Sequence, residues 1–465
     1  MREFVDAVAV LNSRLNGLVW GPAMVAFMML VGLYFTVGTG FFQFSRFRLW
    51  IGETLFAIFR DKTVRDKRDP HTISQFQALS TALAGTIGTG NIVGVATAIV
   101  AGGTGAVFWM WVSAFVGMMT KFAENVLGNY YRYQDKKGAW VGGPMVYIER
   151  GLHCRWLAVL FALFCTAASF GIGNMTQANS IAGALTSSFS VSPLSVGILT
   201  ALLAGLVILG GVRRIASVTE KFVPFAALFY IAGGLTILVI NRHRIPAALS
   251  SIFTGAFSLR AAGGGAGGYA MMRAVQFGVA RGIFSNEAGL GSSVIVNSAS
   301  NVKEPVRQGM WGIFEVFADT IVMCTITALV ILSSGALSGG KDGAALSIAA
   351  FSEGLGEFGS LFVSLAITCF AFATILGWAY YGERAVAYLF GRKCVFLYKL
   401  VYICMICVGC VADLKLVWSI SDTFNGLMAV PNLIAILLLS GKVFSLTKEY
   451  LARRQGMRAD KIRRL

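Results

Sequence analysis

Apolar runs of membrane-crossing length recur along the chain, separated by short polar connections. They cover approximately 17–41, 74–100, 105–130, 156–187, 194–212, 219–241, 274–298, 310–335, 359–390, 395–411 and 417–441. About 20 apolar residues span a hydrocarbon layer as a helix, and lipid leaves a helical chain no other backbone solution. The pattern therefore predicts an all-α polytopic membrane protein with eleven transmembrane helices. Residues 1–16 (MREFVDAVAVLNSRLN) are mixed in polarity and lack the basic start, apolar middle and cleavage site of a signal peptide, so they predict an interfacial helix.

Two of the runs are interrupted by Gly and polar residues. The octet Ala84–Asn91 (AGTIGTGN) aligns with Ala280–Glu287 (ARGIFSNE) at an offset of 196, with Ala on Ala, Ile on Ile and Thr on Ser. A shorter match, Glu149–Leu152 with Ser352–Leu355, recurs near offset 203. These matches divide the chain into an N-terminal region 1–73 with one extra span and a basic loop, a five-helix half 74–241, and an external Gly-rich connection 242–273. A second five-helix half, 274–441, and a basic tail, 442–465, follow. An odd number of spans per half inverts the second against the first. Inverted halves whose first helices break at matching places are the organisation of secondary transporters, with the site at the midplane.

The breaks have their own electrostatics. Interrupting a helix exposes N–H groups of positive partial charge on one side and carbonyls on the other. Amides near Thr89, Gly90 and Asn91 suit a carboxylate. Carbonyls near Gly282, Phe284 and Ser285 suit an ammonium, and those near Gly85 and Gly88 a metal cation. A zwitterionic amino acid with a small cation presents the complementary charges. GTIGTGNIVG also contains a GxG, but no strand precedes it and no Lys-Ser/Thr follows, so it is not a nucleotide loop.

Composition narrows the class. Hydrophobic residues make up 56% and charged residues 13%, with a mean hydropathy of +0.71. So little charge cannot cover a soluble protein of this length, which excludes secreted enzymes and nucleic-acid regulators. The net charge of +17 is asymmetric rather than diffuse. With eleven spans, one side carries 29 of the 39 Lys and Arg and the other eight, Lys121 and Arg281 lying within spans. The positive-inside rule then puts the N-terminus outside and the C-terminus in the cytoplasm. The three His are isolated in loops and no HExxH occurs, which argues against a membrane enzyme. Cys404, Cys407 and Cys410 form a CxxCxxC run without a fourth Cys-Pro, expected as packing within a buried helix.

Five segments carry a family resemblance: GTGNIVGVATAIVAGGTGAVFWMWVSAFVGMMTKFAE (88–124), RGIFSNEAGLGSS (281–293), FADTIVMCTITA (317–328), ILGWAYYGERA (375–385) and FNGLMAVPNLIAI (424–436). Together they resemble the alanine or glycine:cation symporter family, in order and across essentially the whole chain. The resemblance implies a bundle like the leucine-transporter fold with one added N-terminal helix. It implies import of a small neutral amino acid with Na+ across a bacterial inner membrane, without an organic cofactor or nucleic-acid partner, by a monomer. Coupling to H+ or a preference for glutamine is the alternative within the same fold. It also sets Trp378 beside the substrate as a steric wall and gives Thr374 as a Na+ hydroxyl; the blander role of Trp378 is packing.

Other polar residues within spans have two readings each. Asn174 and Gln177 share a helical face and either bind the substrate or bond another helix. Glu287 is either half of an ion pair with Arg281 or a cation-linked acid, because an unpaired carboxylate at that depth is costly. Asp319 with Thr320, and Glu315 a turn earlier, read as a polar clamp between helices. Lys121 and Glu124 are expected near the cytoplasmic end of their span, where snorkelling suffices.

Overall fold

The computed structural model describes residues 2–69, 71–257, 266–412 and 415–456. Part of the Gly-rich connection (258–265) and the end of the basic tail (457–465) lie outside the described residues. Helices α1 (Arg2–Val19) and α2 (Pro22–Gly38) form the N-terminal region. The first half is α3 (Gln75–Thr86), α4 (Val93–Gly102), α5 (Ala106–Tyr131), α6 (Pro144–Leu152), α7 (Arg155–Phe170), α8 (Thr176–Phe189), α9 (Pro193–Ile208) and α10 (Gly211–Ile240). After α11 (Ile245–Ala256) comes the second half: α12 (Ala266–Asn286), α13 (Val294–Asn297), α14 (Pro305–Val316), α15 (Thr325–Ser334), α16 (Gly343–Leu355), α17 (Glu357–Phe390), α18 (Val395–Val411) and α19 (Lys415–Leu438). Helix α20 (Ser440–Arg454) ends the described chain. The two short strands pair antiparallel, with Tyr133 opposite Val141 and Gln134 opposite Trp140.

Among the described residues eight helical stretches are long and apolar enough to cross a membrane, including Asp6–Gly38, Arg155–Phe189 and Pro305–Ser334. The 16-residue α9 and the broken pairs α3/α4 and α12/α13 complete eleven. Local signals start and stop these helices. Ser74 caps α3 reciprocally: its Oγ accepts from the Gln77 amide and its own amide donates to Gln77 Oε1, both at 3.1 Å. Pro stands in the first turn of α2, α6 and α9, where no amide partner is lost. Helix α15 ends at Gly335, whose φ of +88° an L side chain resists.

The fold is a five-plus-five inverted repeat with broken first helices. Five of the first-half elements pack against their own counterparts: α4 on α12, α5 on α14, α7 and α8 on α17, and α9 on α18. Among the described residues two large apolar cores result, with two small clusters beside them. The larger lies among α2, α5, α7, α17 and α19; the smaller lies among α4, α10, α15 and α16. Helix α1 runs three residues past its expected end and is pinned to α19, Asn12 Nδ2 donating to Ser419 Oγ at 2.8 Å and Asn16 Nδ2 to Thr423 Oγ1 at 3.1 Å.

The second break lies later than the octet alignment places it. Helix α12 continues through Gly282, Phe284 and Ser285 to Asn286, so the unwound segment is 287–293. Helices α3 and α12 end 200 positions apart, not 196. The physical reason is in the glycines: Gly289 and Gly291 have φ of +91° and +78°, whereas Gly282 is helical and lets α12 approach α5 at Ser113 and Met110. Gly282 is thus a packing notch. The CxxCxxC expectation is also corrected in part, since on α18 Cys404 is exposed, Cys407 half-buried and Cys410 buried.

Candidate functional site

The two breaks meet. An ideal Cβ on Gly90 would lie 3.5 Å from Ser285 Cα, which places the two breaks in van der Waals reach of each other. Each break is held by side chains that replace the missing helical bonds. In the first, the Gly88 amide donates to Asn91 Oδ1 at 3.0 Å, while Asn91 Nδ2 donates to Asp319 Oδ1 at 2.7 Å and to its carbonyl at 3.2 Å. In the second, Asn286 Oδ1 accepts from the Ala288 amide at 3.0 Å. Asn286 Nδ2 donates to Thr320 Oγ1 at 3.0 Å, and that hydroxyl donates in turn to Asp319 Oδ2 at 2.8 Å. The fully buried Asp319 therefore joins both breaks. It sits in a π-helical stretch, Phe317–Cys324, between α14 and α15, where the widened turn changes which side chains face inward. The polar-clamp reading of Asp319 and Thr320 agrees with this geometry.

A narrow cavity of about 20 Å³ opens between the breaks. Gly85, Gly88, Thr89, Gly90, Gln177, Phe284, Ser285, Thr374 and Trp378 line it. Thr89 Oγ1 donates to Gln177 Oε1 at 3.3 Å, and Gln177 Nε2 donates to the Ile172 carbonyl at 3.0 Å across a second π-helical turn, Gly171–Met175. Thr374 Oγ1 would lie 2.7 Å from a Cβ on Gly88, so its hydroxyl abuts the unwound backbone. Trp378 packs over Gly173, whose missing side chain makes the room, and its Nε1 donates to Glu287 Oε1 at 3.1 Å.

Three sequence-predicted site residues do not line the cavity. Asn91 turns away to Asp319 and supports the break from behind. Asn174 donates to the Tyr402 carbonyl on α18 at 2.7 Å, which realises its helix-bonding reading. Gly282 packs on α5. Conversely, Thr86, Ile172 and Asn425 line the cavity and escaped the sequence reading. Asn425 had a signal, a lone amide at the head of FNGL, and Thr86 lay inside the first octet. Ile172 had none, because only the π turn brings an ordinary apolar residue to the site.

The charged residues pair differently from expectation. Glu287 does not pair with Arg281. Its carboxylate takes Trp378 Nε1 and the Ser292 hydroxyl, and its carbonyl accepts from Lys121 Nζ at 3.3 Å. Those contacts hold it at a φ of +56°, a left-handed conformation that a non-Gly residue pays for. Lys121 and Glu124 do not snorkel; both are fully buried. Helix α5 extends ten residues beyond Lys121 to Tyr131, about 15 Å of helix, too far for the side chain to reach an end. Glu315 completes the group, accepting from Asn297 Nδ2 at 3.2 Å. Asn432 on α19 bridges Glu124 Oε1 at 2.5 Å and the Gly289 carbonyl at 2.9 Å, and accepts from the Tyr147 hydroxyl. Glu287 of this cluster also lines the cavity, while Lys121 and Asn432 hold the backbone of the second break at Glu287 and Gly289.

What the arrangement can do chemically is bind a small polar solute through backbone groups, neutral side chains and Glu287, which also lines the cavity; among the described residues no group of three His, Cys, Asp or Glu is placed to hold a metal ion. Oxygen-rich surroundings of this kind suit a hard cation. Comparison with known proteins agrees. MhsT, solved in complex with L-phenylalanine, superposes with a TM-score of 0.56 at 13% identity over 82% of this chain and 90% of that one, a likeness of fold. The chain is 39% identical over 438 residues to the probable sodium/glutamine symporter GlnT of Bacillus subtilis (94% of this chain, 89% of that one). It is 46% identical over 454 residues to the sodium/alanine symporter AgcS of Methanococcus maripaludis (96% and 98%). The sequence profile of the sodium:alanine symporter family matches residues 5–464. A match of that length, on a leucine-transporter-like inverted repeat whose broken helices enclose a polar cavity, means that this chain belongs to the sodium:alanine symporter family.

Proposed function

We propose that the protein imports a small neutral amino acid, alanine or glycine, together with Na+, by alternating access around the cavity between the breaks. The observation that carries this reading is the convergence of two broken helices on one enclosed polar cavity lined by Thr89, Gln177, Ser285 and Trp378. The amides of the Thr89–Asn91 turn bind the carboxylate, and the open carbonyls at the end of α12, from Phe284 to Asn286, receive the ammonium. Carbonyls at the end of α3 near Gly85 and Gly88, with Thr374 Oγ1, take the ion. AgcS and GlnT, the relatives, are named for sodium with alanine and with glutamine respectively, and the small cavity favours the smaller solute. Purified protein in liposomes should accumulate labelled alanine only with an inward Na+ gradient. Equal accumulation on a proton gradient in Na+-free medium would overturn the coupling.

Trp378 sets the size limit in this reading. Trp378→Ala removes the wall and the Nε1 bond to Glu287, so alanine affinity should fall about tenfold or more while larger neutral side chains gain. Competition of labelled alanine by leucine and methionine measures this, and unchanged selectivity would remove Trp378 from the site. The charge asymmetry of the connections supports an N-out, C-in orientation. A reporter fused after Lys442 should be active in the cytoplasm, and an external reporter signal there would reverse the topology.

A further inference from the structure

A cavity of about 360 Å³ opens on the Lys- and Arg-rich face of the molecule, which the positive-inside rule makes cytoplasmic. The segment His71–Ile73 that leads into α3, the hairpin after α5 and the start of α10 form one side of it. Ala299 and the C-terminal part of α17 form the other, so elements of both halves meet there. These walls are tied together. The Ile73 amide donates to the Ala299 carbonyl at 3.2 Å, and the Ile73 carbonyl accepts from the Asn301 amide at 2.9 Å. The hairpin turns at Gly138, whose φ is +79° and where a Cβ would lie 3.2 Å from the His71 ring.

The charge in the walls is of one sign. Lys137, Arg213, Arg384 and Arg392 line the cavity, and among the described residues no carboxylate does. The two carboxylates adjacent to them in the chain are already engaged. Asp135 pairs with Arg392 and accepts from the Lys137 and Ala139 amides at 2.8 and 3.2 Å. Glu383 pairs with Lys399 at 3.0 Å. Arg213 gives one N–H to the Asp69 carbonyl at 3.2 Å, and the half-buried Arg384 makes no hydrogen bond or ion pair among the described residues. One engaged carboxylate thus stands beside four cations around a concave space, and such a space concentrates anions.

A carboxylate ligand supplies one negative charge, whereas a phosphate group supplies up to about two, with several acceptor oxygens in the geometry that guanidinium forks bind. We propose that this cavity is a binding site for a phosphate group, held by Arg384 at its wall with Arg213, Lys137 and Arg392 closing around it. Ile73, Trp140 and Val212 add apolar wall that accepts the organic part of an anionic lipid headgroup, and a free diphosphate meets the same charges. Bound there, the anion bridges the two halves where their own side chains repel. Neither the binding nor its test depends on transport.

Ligand stabilisation of the purified full chain in dodecyl maltoside, at constant ionic strength, tests the site. Inorganic pyrophosphate and dihexanoyl phosphatidylglycerol are titrated separately, with dihexanoyl phosphatidylcholine as the zwitterionic control, and the rise in melting temperature gives an apparent Kd. Saturation with a Kd on the order of 1 mM or lower is expected for at least one of the two anions. Arg384→Gln should raise that Kd about tenfold or more, and Arg213→Gln, made independently, should do the same, so one variant decides if the other fails to fold. Lys62→Gln removes an exposed cation of the same face outside the cavity and should change the Kd by less than about twofold. A response to pyrophosphate alone assigns the site to soluble phosphates, one to phosphatidylglycerol alone assigns it to the lipid, and one to both assigns it to the phosphate group itself. Stabilisation by neither anion, equal stabilisation by phosphatidylcholine, or an affinity that survives both arginine substitutions would overturn the site. So would a loss in Lys62→Gln as large as in the arginine variants.

Discussion

Lys121→Met is expected to destabilise the folded protein by about 3–5 kcal/mol, the cost of removing one partner from a buried ionic group. Methionine keeps most of the lysine stem, so packing along α5 is little changed and the effect reports charge. Lys121 is the cation facing Glu124, Glu287 and Glu315, all buried to within 3% of full enclosure. Its ammonium also holds the Glu287 carbonyl at the start of the second break. Without it, three carboxylates face one another at low dielectric, and Asn432, Asn297 and Ser292 supply only neutral donors. Thermal unfolding of the detergent-purified variant beside the native protein measures the loss. An unchanged melt would mean that protons on the carboxylates, not Lys121, balance the cluster.

Asp319→Ala should lower apparent affinity for the co-transported pair by a hundredfold or more. The side chain accepts from Asn91 in one break and, through Thr320, anchors Asn286 in the other. Hydrogen bonds to a charged group are worth about 1.5–3 kcal/mol each, and two are lost together. Both breaks then lose their common support, and the amides and carbonyls that face the cavity lose their placement. Asp319→Asn keeps an acceptor at Oδ1 and should retain part of the affinity. Na+-dependent alanine binding to purified protein decides the point. Binding within threefold of native in the alanine variant would show that each break stands without the clamp.

Sequence reading located the first break well and the second poorly, for a definable reason. Around Gly88 the backbone unwinds where Gly and polar residues are densest. In RGIFSNEAGLGSS the same composition extends over thirteen residues, and helix continues through Ser285 because α12 packs on α5 there. Of its glycines Gly289 and Gly291 adopt left-handed backbone, and so does Glu287 beside them, whereas Gly282 stays helical. A motif can announce a break without saying which of its glycines is used. Asn174 and Gln177 show the same limit at the level of one side chain. They are three positions apart on one face, but the intervening π turn sends Gln177 to Thr89 in the cavity and Asn174 to α18.

The sequence by itself determined the elements and their class. Apolar run length decides what must lie in lipid, Lys and Arg distribution argues for a direction, and the repeated interrupted octet implies paired broken helices, because these depend on local composition and on the bilayer as solvent. Tertiary structure decided which polar side chains face one another. Lys121, Glu124, Glu287 and Glu315 come from two helices and a break, and Arg281 lines a cavity with Asp422 of α19 rather than pairing with Glu287 six residues on. Burial turns each such group into an obligation to find a partner. The partner is whichever helix packs against it, and that follows from long-range packing rather than from spacing along the chain.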